Sequence, residues 1–312
     1  MSIPRILIIG SGAVGAVYGH HLAMAACRPT YLIRDPQSSN SKMPRTLHRY
    51  SMIGRKVSSR QQHLRTITQG CTGWDQVWIC LPSSAIESPW LLKQLSRVAP
   101  ETPVILWSPD LRDRDILQKH YSGPISRALI GIISFQTPLP GENTPSNGIA
   151  YLAPPRSAVL ESTADGRQAA AWLKAGGLPT AIHDNLPLHE ARMTALLQPV
   201  IAALEINQWS LKKLRQSQWL ATASAAGREA KKIGEIYLGE TPSRSIPAQR
   251  FLLKSAITVA PSVMPFPLET YLHYHFSKVS EQTRIMLDGW IDQGKQLKLP
   301  VTSLELLRRA LP

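Results

Sequence analysis

Cysteine is scarce. Three occur in 312 residues, Cys27, Cys71 and Cys80, and no two form a Cys-x-x-Cys pair. That spacing excludes a disulfide framework and a zinc finger or ribbon, leaving buried free thiols as the expectation. No stretch of about 20 uninterrupted apolar residues occurs, which argues against a membrane-spanning helix. The apolar N-terminus also lacks the basic leader of a signal peptide, so a cytoplasmic protein is expected. Internal repeats, low-complexity tracts and flexible linkers are absent too.

Acidic residues are few as well. Asp and Glu number 21 against 35 Lys and Arg, for a formal net charge of +14. The deficit is concentrated between Pro36 and Trp74, where no acidic residue occurs but Lys42, Arg45, Arg49, Arg55, Lys56, Arg60 and Arg65 do. Three readings fit such a segment: a solvated basic hairpin, a local field for an anionic cofactor or substrate, or a nucleic-acid surface. No zinc-knuckle, homeodomain or RNP-like pattern supports the third, so no nucleic-acid partner is expected.

What is present is the composition of a folding chain, 43% hydrophobic and 18% charged. Its length suggests two domains. Ile3 to Ile9 is a nearly continuous apolar run, as a strand buried on both faces requires. Residues Ala13 to Ala26 read as a helix that Pro29 ends, and Thr30-Tyr31-Leu32-Ile33 supplies a second strand. Tyr50 to Thr68 reads as a small antiparallel excursion turning at Ile53-Gly54. Gln76 to Leu81, Pro103 to Trp107, Ala128 to Phe135, Ile149 to Leu152 and Thr180 to His183 are further strand candidates, with a helix from Trp90 to Val98.

Strands alternating with helices predict an α/β fold, a Rossmann-type doubly wound sheet over residues 1–185. An all-helical C-terminal domain is predicted over 186–312, from helical periods at Leu188 to Ile206 (kinked at Pro199), Gln218 to Tyr237, Pro247 to Ile257 and Leu268 to Leu297. A last helix from Thr302 carries capping-box spacing in Thr302-Ser303-Leu304-Glu305, with Arg308 and Arg309 at its C-terminal end. Close packing of the two domains around a cleft is expected.

The strand–turn–helix at the N-terminus holds Gly10-Ser11-Gly12-Ala13-Val14-Gly15. In such a motif the first glycine makes a tight turn, the second lets backbone approach a pyrophosphate, and the third lets helix pack on strand. The diphosphate then meets the free N–H groups and positive dipole end of the helix. Past the second strand, where NAD-specific enzymes present a carboxylate to the ribose 2′-hydroxyl, this chain has Arg34 and then Asp35. Arg34 suits a 2′-phosphate, so NADP(H) is the expected cofactor. Asp35 either begins the Asp35-Pro36 turn or points to the ribose, which would favour NAD(H).

With these residues in place, the sequence resembles the ketopantoate reductase (2-dehydropantoate 2-reductase) family. Ile8-Ile9-Gly10-Ser11-Gly12-Ala13-Val14-Gly15 is similar to that family's opening, and Arg34 lies where it carries an NADP-selecting arginine. Leu81-Pro82-Ser83-Ser84 is similar to the turn after the family's fourth strand, and Thr102-Pro103-Val104-Ile105-Leu106 to the strand that follows. The cofactor-binding set implied is Gly10, Ser11, Gly12, Ala13, Val14, Gly15, Arg34, Leu81 and Pro82.

The resemblance implies reduction of a 2-oxo acid by NADPH, with a lysine on the first C-terminal helix as proton donor. Met193 stands at that lysine's position, Leu197 and Ile201 at two substrate-binding asparagines, Pro109 near a third, and Pro82 where many members have lysine. Hydride delivery to a carbonyl needs an acid or electrophile at its oxygen, and a Met-Leu-Ile stripe, read as helix core, supplies none. Substitute candidates are Arg192 for a substrate carboxylate, and Lys278 and Glu281, the latter near the family's glutamate. Each has a plainer reading: a surface or interface arginine, and an exposed ion pair three residues apart on one helix. His189 and Glu190 read as a solvated first turn. His273 and His275 lack metal-ligand spacing, and no metal is expected. The leading expectation is an NADPH-dependent oxidoreductase acting on a small carbonyl in the cleft, with a homodimer as the assembly considered; the alternative is a non-catalytic NADP(H)-binding protein.

Overall fold

A computed structural model of the protein describes residues 2–34, 45–51, 56–244 and 249–312. Asp35 with its Asp35-Pro36 turn, Lys42, Arg55, the Ile53-Gly54 turn and Pro247 lie outside the described residues. The chain divides into two compact units, Met1–Leu186 and Pro187–Pro312.

The first unit opens with β1 (Arg5–Ile9), α1 (Ala13–Met24) and β2 (Arg28–Leu32). Next come β3 (Arg45–Tyr50), β4 (Val57–Gln62), β5 (Thr66–Ile67) and β6 (Gln76–Ile79). Then follow α2 (Pro89–Leu95), β7 (Val104–Leu106), α3 (Asp113–Gln118) and β8 (Ile125–Ile130). It closes with β9 (Ile133–Thr137), β10 (Gly148–Leu152), β11 (Ala158–Glu161), α4 (Ala164–Ala175) and β12 (Thr180–His183). Side-chain caps start two of the helices: Ser88 accepts from the Leu91 amide before α2, and Thr163 from the Gly166 amide before α4.

Eight strands form one sheet in the order β12-β11-β8-β7-β6-β1-β2-β5. Every pairing in it is parallel except β8 with β11. From β5 to β8 this is the doubly wound order, with the direction of winding reversing between β1 and β6. Burial on both faces explains the unbroken apolar runs. Ile6, Ile8, Trp78, Ile105 and Trp107 face α1 and α4, while Leu7, Ile9, Val77, Ile79, Val104 and Leu106 face the side of α2 and α3. Tyr18 of α1 packs on Trp107 with ring centroids 4.1 Å apart and donates to the Ser157 carbonyl.

A second sheet, β4-β3-β10-β9, holds the antiparallel excursion: β3 pairs β4 with Arg45 opposite Gln62. The single strand expected over Ala128 to Phe135 is two. β8 ends at Ile130 in the first sheet and β9 begins in the second. Gly131 turns the chain where a Cβ would lie 1.8 Å from the Arg156 carbonyl oxygen, an approach only glycine permits.

The second unit is helical: α5 (Leu186–Ile206), α6 (Leu211–Gln216), α7 (Trp219–Tyr237), α8 (Gln249–Val263), α9 (Leu268–Lys278), α10 (Ser280–Gln296) and α11 (Thr302–Ala310). Small residues of α7, Ala223, Ala226 and Ala230, share a core with Leu287, Trp290, Leu304 and Leu307. α5 continues through Pro199. The helix expected from Leu268 to Leu297 breaks at Val279, whose φ of −122° and ψ of 26° leave the helical basin; α10 then sets Met286, Leu287, Trp290 and Ile291 against the core.

The capping box expected at Thr302 does not form. Val301 is the N-cap, and the Glu229 carboxylate of α7 takes the Ser303 and Leu304 amides at 3.0–3.1 Å. Glu305 pairs instead with Lys295 and Arg309. Among the described residues no single helix is long and apolar enough to cross a membrane.

Candidate functional site

β1 and β6 lie side by side at the point where the winding reverses, and their carboxyl ends carry Gly10 and Cys80-Leu81-Pro82. Crevices of this kind are where open α/β sheets take ligands. Gly10 has φ +109°, and a Cβ there would lie 2.3 Å from the Cys80 carbonyl oxygen and 3.2 Å from Leu81 Cδ2. The turn and the strand end therefore touch through backbone alone. At Gly15 a Cβ would meet the Gly10 carbonyl oxygen at 2.0 Å, so α1 can start this close to the turn only with glycine there.

Gly12 differs from both. Nothing lies within 4 Å of its absent Cβ, and as N-cap of α1 it makes no side-chain hydrogen bond to the helix. No acidic residue occupies the first turn of α1. An open, positively polarised helix start free of a resident carboxylate suits the diphosphate of a dinucleotide, so these residues fit that group.

Arg34 stands exposed just beyond β2, its guanidinium 5.0 Å from the centroid of the Trp90 ring on α2. The indole supports the cation from one side. Leu81 and Pro82 are half-buried beside the glycine turn.

Sequence reading missed a polar cluster beside this crevice. Ser83 follows β6 and Ser108 follows β7, and both hydroxyls donate to Asp113 Oδ2 in the first turn of α3, Ser83 at 2.6 Å. All three are buried. Burial, aided by the neighbouring Asp110 carboxylate, raises Asp113 to about 6, against the two serine hydrogen bonds and Arg127. Asp110 is held by Arg112 at 2.7 Å, and Arg127 donates to the carbonyls of Asp110 and Leu111 at 3.0 Å. The cluster ties together the loops after β6 and β7 and α3. Arg45 was also missed: it donates to the Ser11 carbonyl inside the glycine turn. Only its place in the acid-free segment marked it in the sequence.

The second unit corrects several expectations. Met193 and Leu197 are 48% and 50% exposed while Ile201 is buried, so the stripe is not helix core along its length. α5 rotates its first two members away from the packing layer that takes Ala195, Ala202 and Ala203. Glu190 is buried rather than solvated. Arg192 bonds Glu235 at 2.7 Å, and Glu235 also accepts from Ser243, which, with Arg192, holds its carboxyl below the usual range.

Lys278 and Glu281 do not share a helix. Lys278 ends α9, with its ammonium 3.6 Å from the Tyr274 ring centroid, and exposed Glu281 opens α10. His275 is lowered to about 4 by burial and by Lys278. Among the described residues no group of three or more His, Cys, Asp or Glu is placed to hold a metal ion.

Against known proteins, residues 6–144 match the family model described as Ketopantoate reductase PanE/ApbA. No curated protein sequence matches the chain. Among solved structures, a PanE/ApbA family ketopantoate reductase from Ralstonia eutropha JMP134 superposes with TM-score 0.74 at 19% identity, covering 98% of this chain and 97% of that one. The dimeric ketopantoate reductase of Staphylococcus aureus gives TM-score 0.70 at 11% identity, with 98% and 97% covered. D-mandelate dehydrogenase in complex with NADH gives 0.68 at 14%, again with 98% and 97% covered. These likenesses extend the shared fold over both units. The matched segment carries β1, the glycine turn, Arg34 and the strand ends that frame the crevice, so residues 6–144 are similar to the ketopantoate reductase PanE/ApbA model, and both units have the fold of the solved ketopantoate reductases.

Proposed function

We propose that the chain is an NADPH-dependent oxidoreductase that reduces a small carbonyl compound of the 2-oxo acid kind. The observation that carries this is the open glycine turn at the reversal of the sheet, with Arg34 beyond β2. Residues 1–185 would hold NADP(H), and 186–312 would serve substrate and dimer contacts. When bound, the nicotinamide supplies the hydride. The chain's own part is to hold the diphosphate on the N–H groups of Gly12 to Gly15, to pair Arg34 with the 2′-phosphate, and to border the crevice with Leu81 and Pro82. Arg34→Ala should raise the NADPH dissociation constant roughly 10- to 100-fold, the weight of one charge-assisted pair, and leave NADH unchanged.

The alkoxide left by hydride transfer needs a proton. Met193 and Leu197 carry none, and Arg192 is engaged by Glu235. Lys278 and Glu281 stay as candidates for substrate or proton contact, and Lys278→Ala with full turnover would remove that residue. The same features favour a second reading, a non-catalytic NADP(H)-binding protein. The deciding measurement is NADPH oxidation by the purified protein with ketopantoate and then a panel of small carbonyls, with binding followed by cofactor fluorescence. Turnover establishes the enzyme; tight binding without turnover on any carbonyl establishes the second reading; no binding refutes both. On this proposal the protein works in the cytoplasm, and sedimentation should find a homodimer like that of the Staphylococcus aureus enzyme.

A further inference from the structure

We infer that Ser83 is the hydroxyl that protonates the alkoxide at the crevice, and that Asp113 behind it is the positioning residue that resupplies its proton. The inference rests on the reductase reading above and supplies the proton that Met193 and Leu197 cannot.

Ser83 opens a single 3₁₀ turn, Ser83–Ala85, directly after Pro82 at the carboxyl end of β6. Ser108 lies two residues beyond the end of β7, the strand paired with β6. Loops in these positions border the crevice of a doubly wound sheet. Behind them, Asp113 in the first turn of α3 offers one oxygen, Oδ2, to both hydroxyls, with Ser83 at 2.6 Å, and the hydroxyl oxygens are 3.1 Å apart. Ser83 is 9% exposed against 2% for Ser108 and for Asp113, which makes Ser83 the most open member of the three.

That arrangement couples the direction of a hydroxyl to the charge on a carboxyl. When Asp113 is ionised, both serine hydrogens point at Oδ2 and Ser83 has none to give. When Asp113 is protonated, its O–H donates to Ser83 while Ser108 still donates to Asp113, and the Ser83 hydrogen can turn toward the crevice. The surroundings decide which form is present. Burial first and the Asp110 carboxylate second hold Asp113 at about 6, against the two serine hydrogen bonds and Arg127. Asp110 is itself paired with Arg112, and Arg127 of β8 donates to the Asp110 and Leu111 carbonyls. An acid of this strength keeps a proton to give close to neutral pH, which an ordinary carboxyl does not.

In the transfer, hydride adds to the carbonyl carbon and the alkoxide oxygen takes the Ser83 proton. Ser83 Oγ takes the proton of Asp113 as the Asp113 O–H bond breaks. The carboxylate left behind recovers a proton from water after the alcohol leaves. One hydride and one proton are consumed for each carbonyl reduced.

The test begins with the cofactor-free, full-length protein. Difference infrared spectra of wild type, Asp113→Asn and Ser83→Ala from about pH 4 to pH 8 read the protonated carboxyl directly. An acid carbonyl band should disappear through about pH 6 in wild type and be missing in Asp113→Asn. In Ser83→Ala it should persist to higher pH, because a hydrogen bond that favours the ionised form is gone. The same proteins, the double variant and Ser83→Thr are then assayed with NADPH and ketopantoate or the most active member of the carbonyl panel, with binding followed by cofactor fluorescence. Wild-type turnover should fall as pH rises through about 6. Asp113→Asn and Ser83→Ala should each lose roughly 100-fold in turnover with NADPH affinity unchanged, and the double variant should lose no more than either. Ser83→Thr, which keeps a hydroxyl, should retain activity. A tie that only shaped the loops would move affinity along with turnover. An acid band that titrates near the ordinary 3.8 would overturn the inference, as would full turnover in Asp113→Asn or Ser83→Ala. If the band titrates as expected but wild type binds NADPH and reduces no carbonyl of the panel, the reductase reading itself fails and takes this one with it.

Discussion

Asp113→Asn should remove a pH dependence built into the first unit. The wild-type carboxyl is 2% exposed and is raised from the ordinary 3.8 to about 6 by burial and by Asp110, so its charged form is disfavoured in the fold. A native group that holds its proton more tightly than the unfolded chain contributes stability below the unfolded value and loses it as pH rises through the native value. Between about pH 4 and pH 6 the wild type therefore loses stability from this group, reaching a cost of about 3 kcal/mol at neutral pH from the 1.36 kcal/mol carried by each pH unit. Asparagine keeps an acceptor oxygen for Ser83 and Ser108 and never ionises. Its extra N–H donors add a penalty of about 1–3 kcal/mol if left without partners, and that penalty does not change with pH. Urea unfolding of wild type and Asp113→Asn at a series of pH values isolates the effect, because other titrating groups such as His21 cancel in the difference. The difference should grow in the variant's favour by up to about 3 kcal/mol between pH 4 and pH 7. A difference that is flat with pH would refute the raised carboxyl and the reading of the cluster as a desolvated tie.

Three further outcomes follow from the packing. Gly15→Ala drives a methyl into the Gly10 carbonyl 2.0 Å away, so it should cost about 1–3 kcal/mol of stability and weaken NADPH and NADH together, read by melts and fluorescence. Glu229→Gln, which discharges the carboxylate capping α11, should cost about 1 kcal/mol in urea unfolding of the second unit. Leu287→Ala, in the core that joins α7, α10 and α11, should cost about 2–5 kcal/mol by the same assay; a cost near zero would mean α10 is misplaced.

Much of the first unit was legible because its signals are local. β1, the glycine turn, α1 and β2 follow one another within about thirty residues, in the order and spacing of a strand–turn–helix–strand unit. Apolar runs marked β6, β7 and β10, since a strand covered on both faces has no polar side to show. Local pattern failed where a distant chain intervened. Ala128 to Phe135 looks like one strand until the Arg156 carbonyl comes against Gly131 and sends the second half to another sheet. Thr302 to Glu305 has capping-box spacing, yet Glu229, more than seventy residues earlier, takes the amides. Leu268 to Leu297 keeps one helical period through Val279, where the backbone nevertheless turns.

The sequence by itself determined the doubly wound unit, the helical unit after it, and a glycine-rich turn opening a helix with a cation at Arg34 beyond the next strand, because turn chemistry and hydrophobic period act between residues a few positions apart. Tertiary structure alone decided what surrounds that turn. Arg45 reaches Ser11 across 34 positions, Ser83 reaches Asp113 across 30, and Arg192 turns to Glu235 across 43. Those pairings depend on which strand ends lie side by side and on how far a charged group is removed from water, and no local pattern carries either.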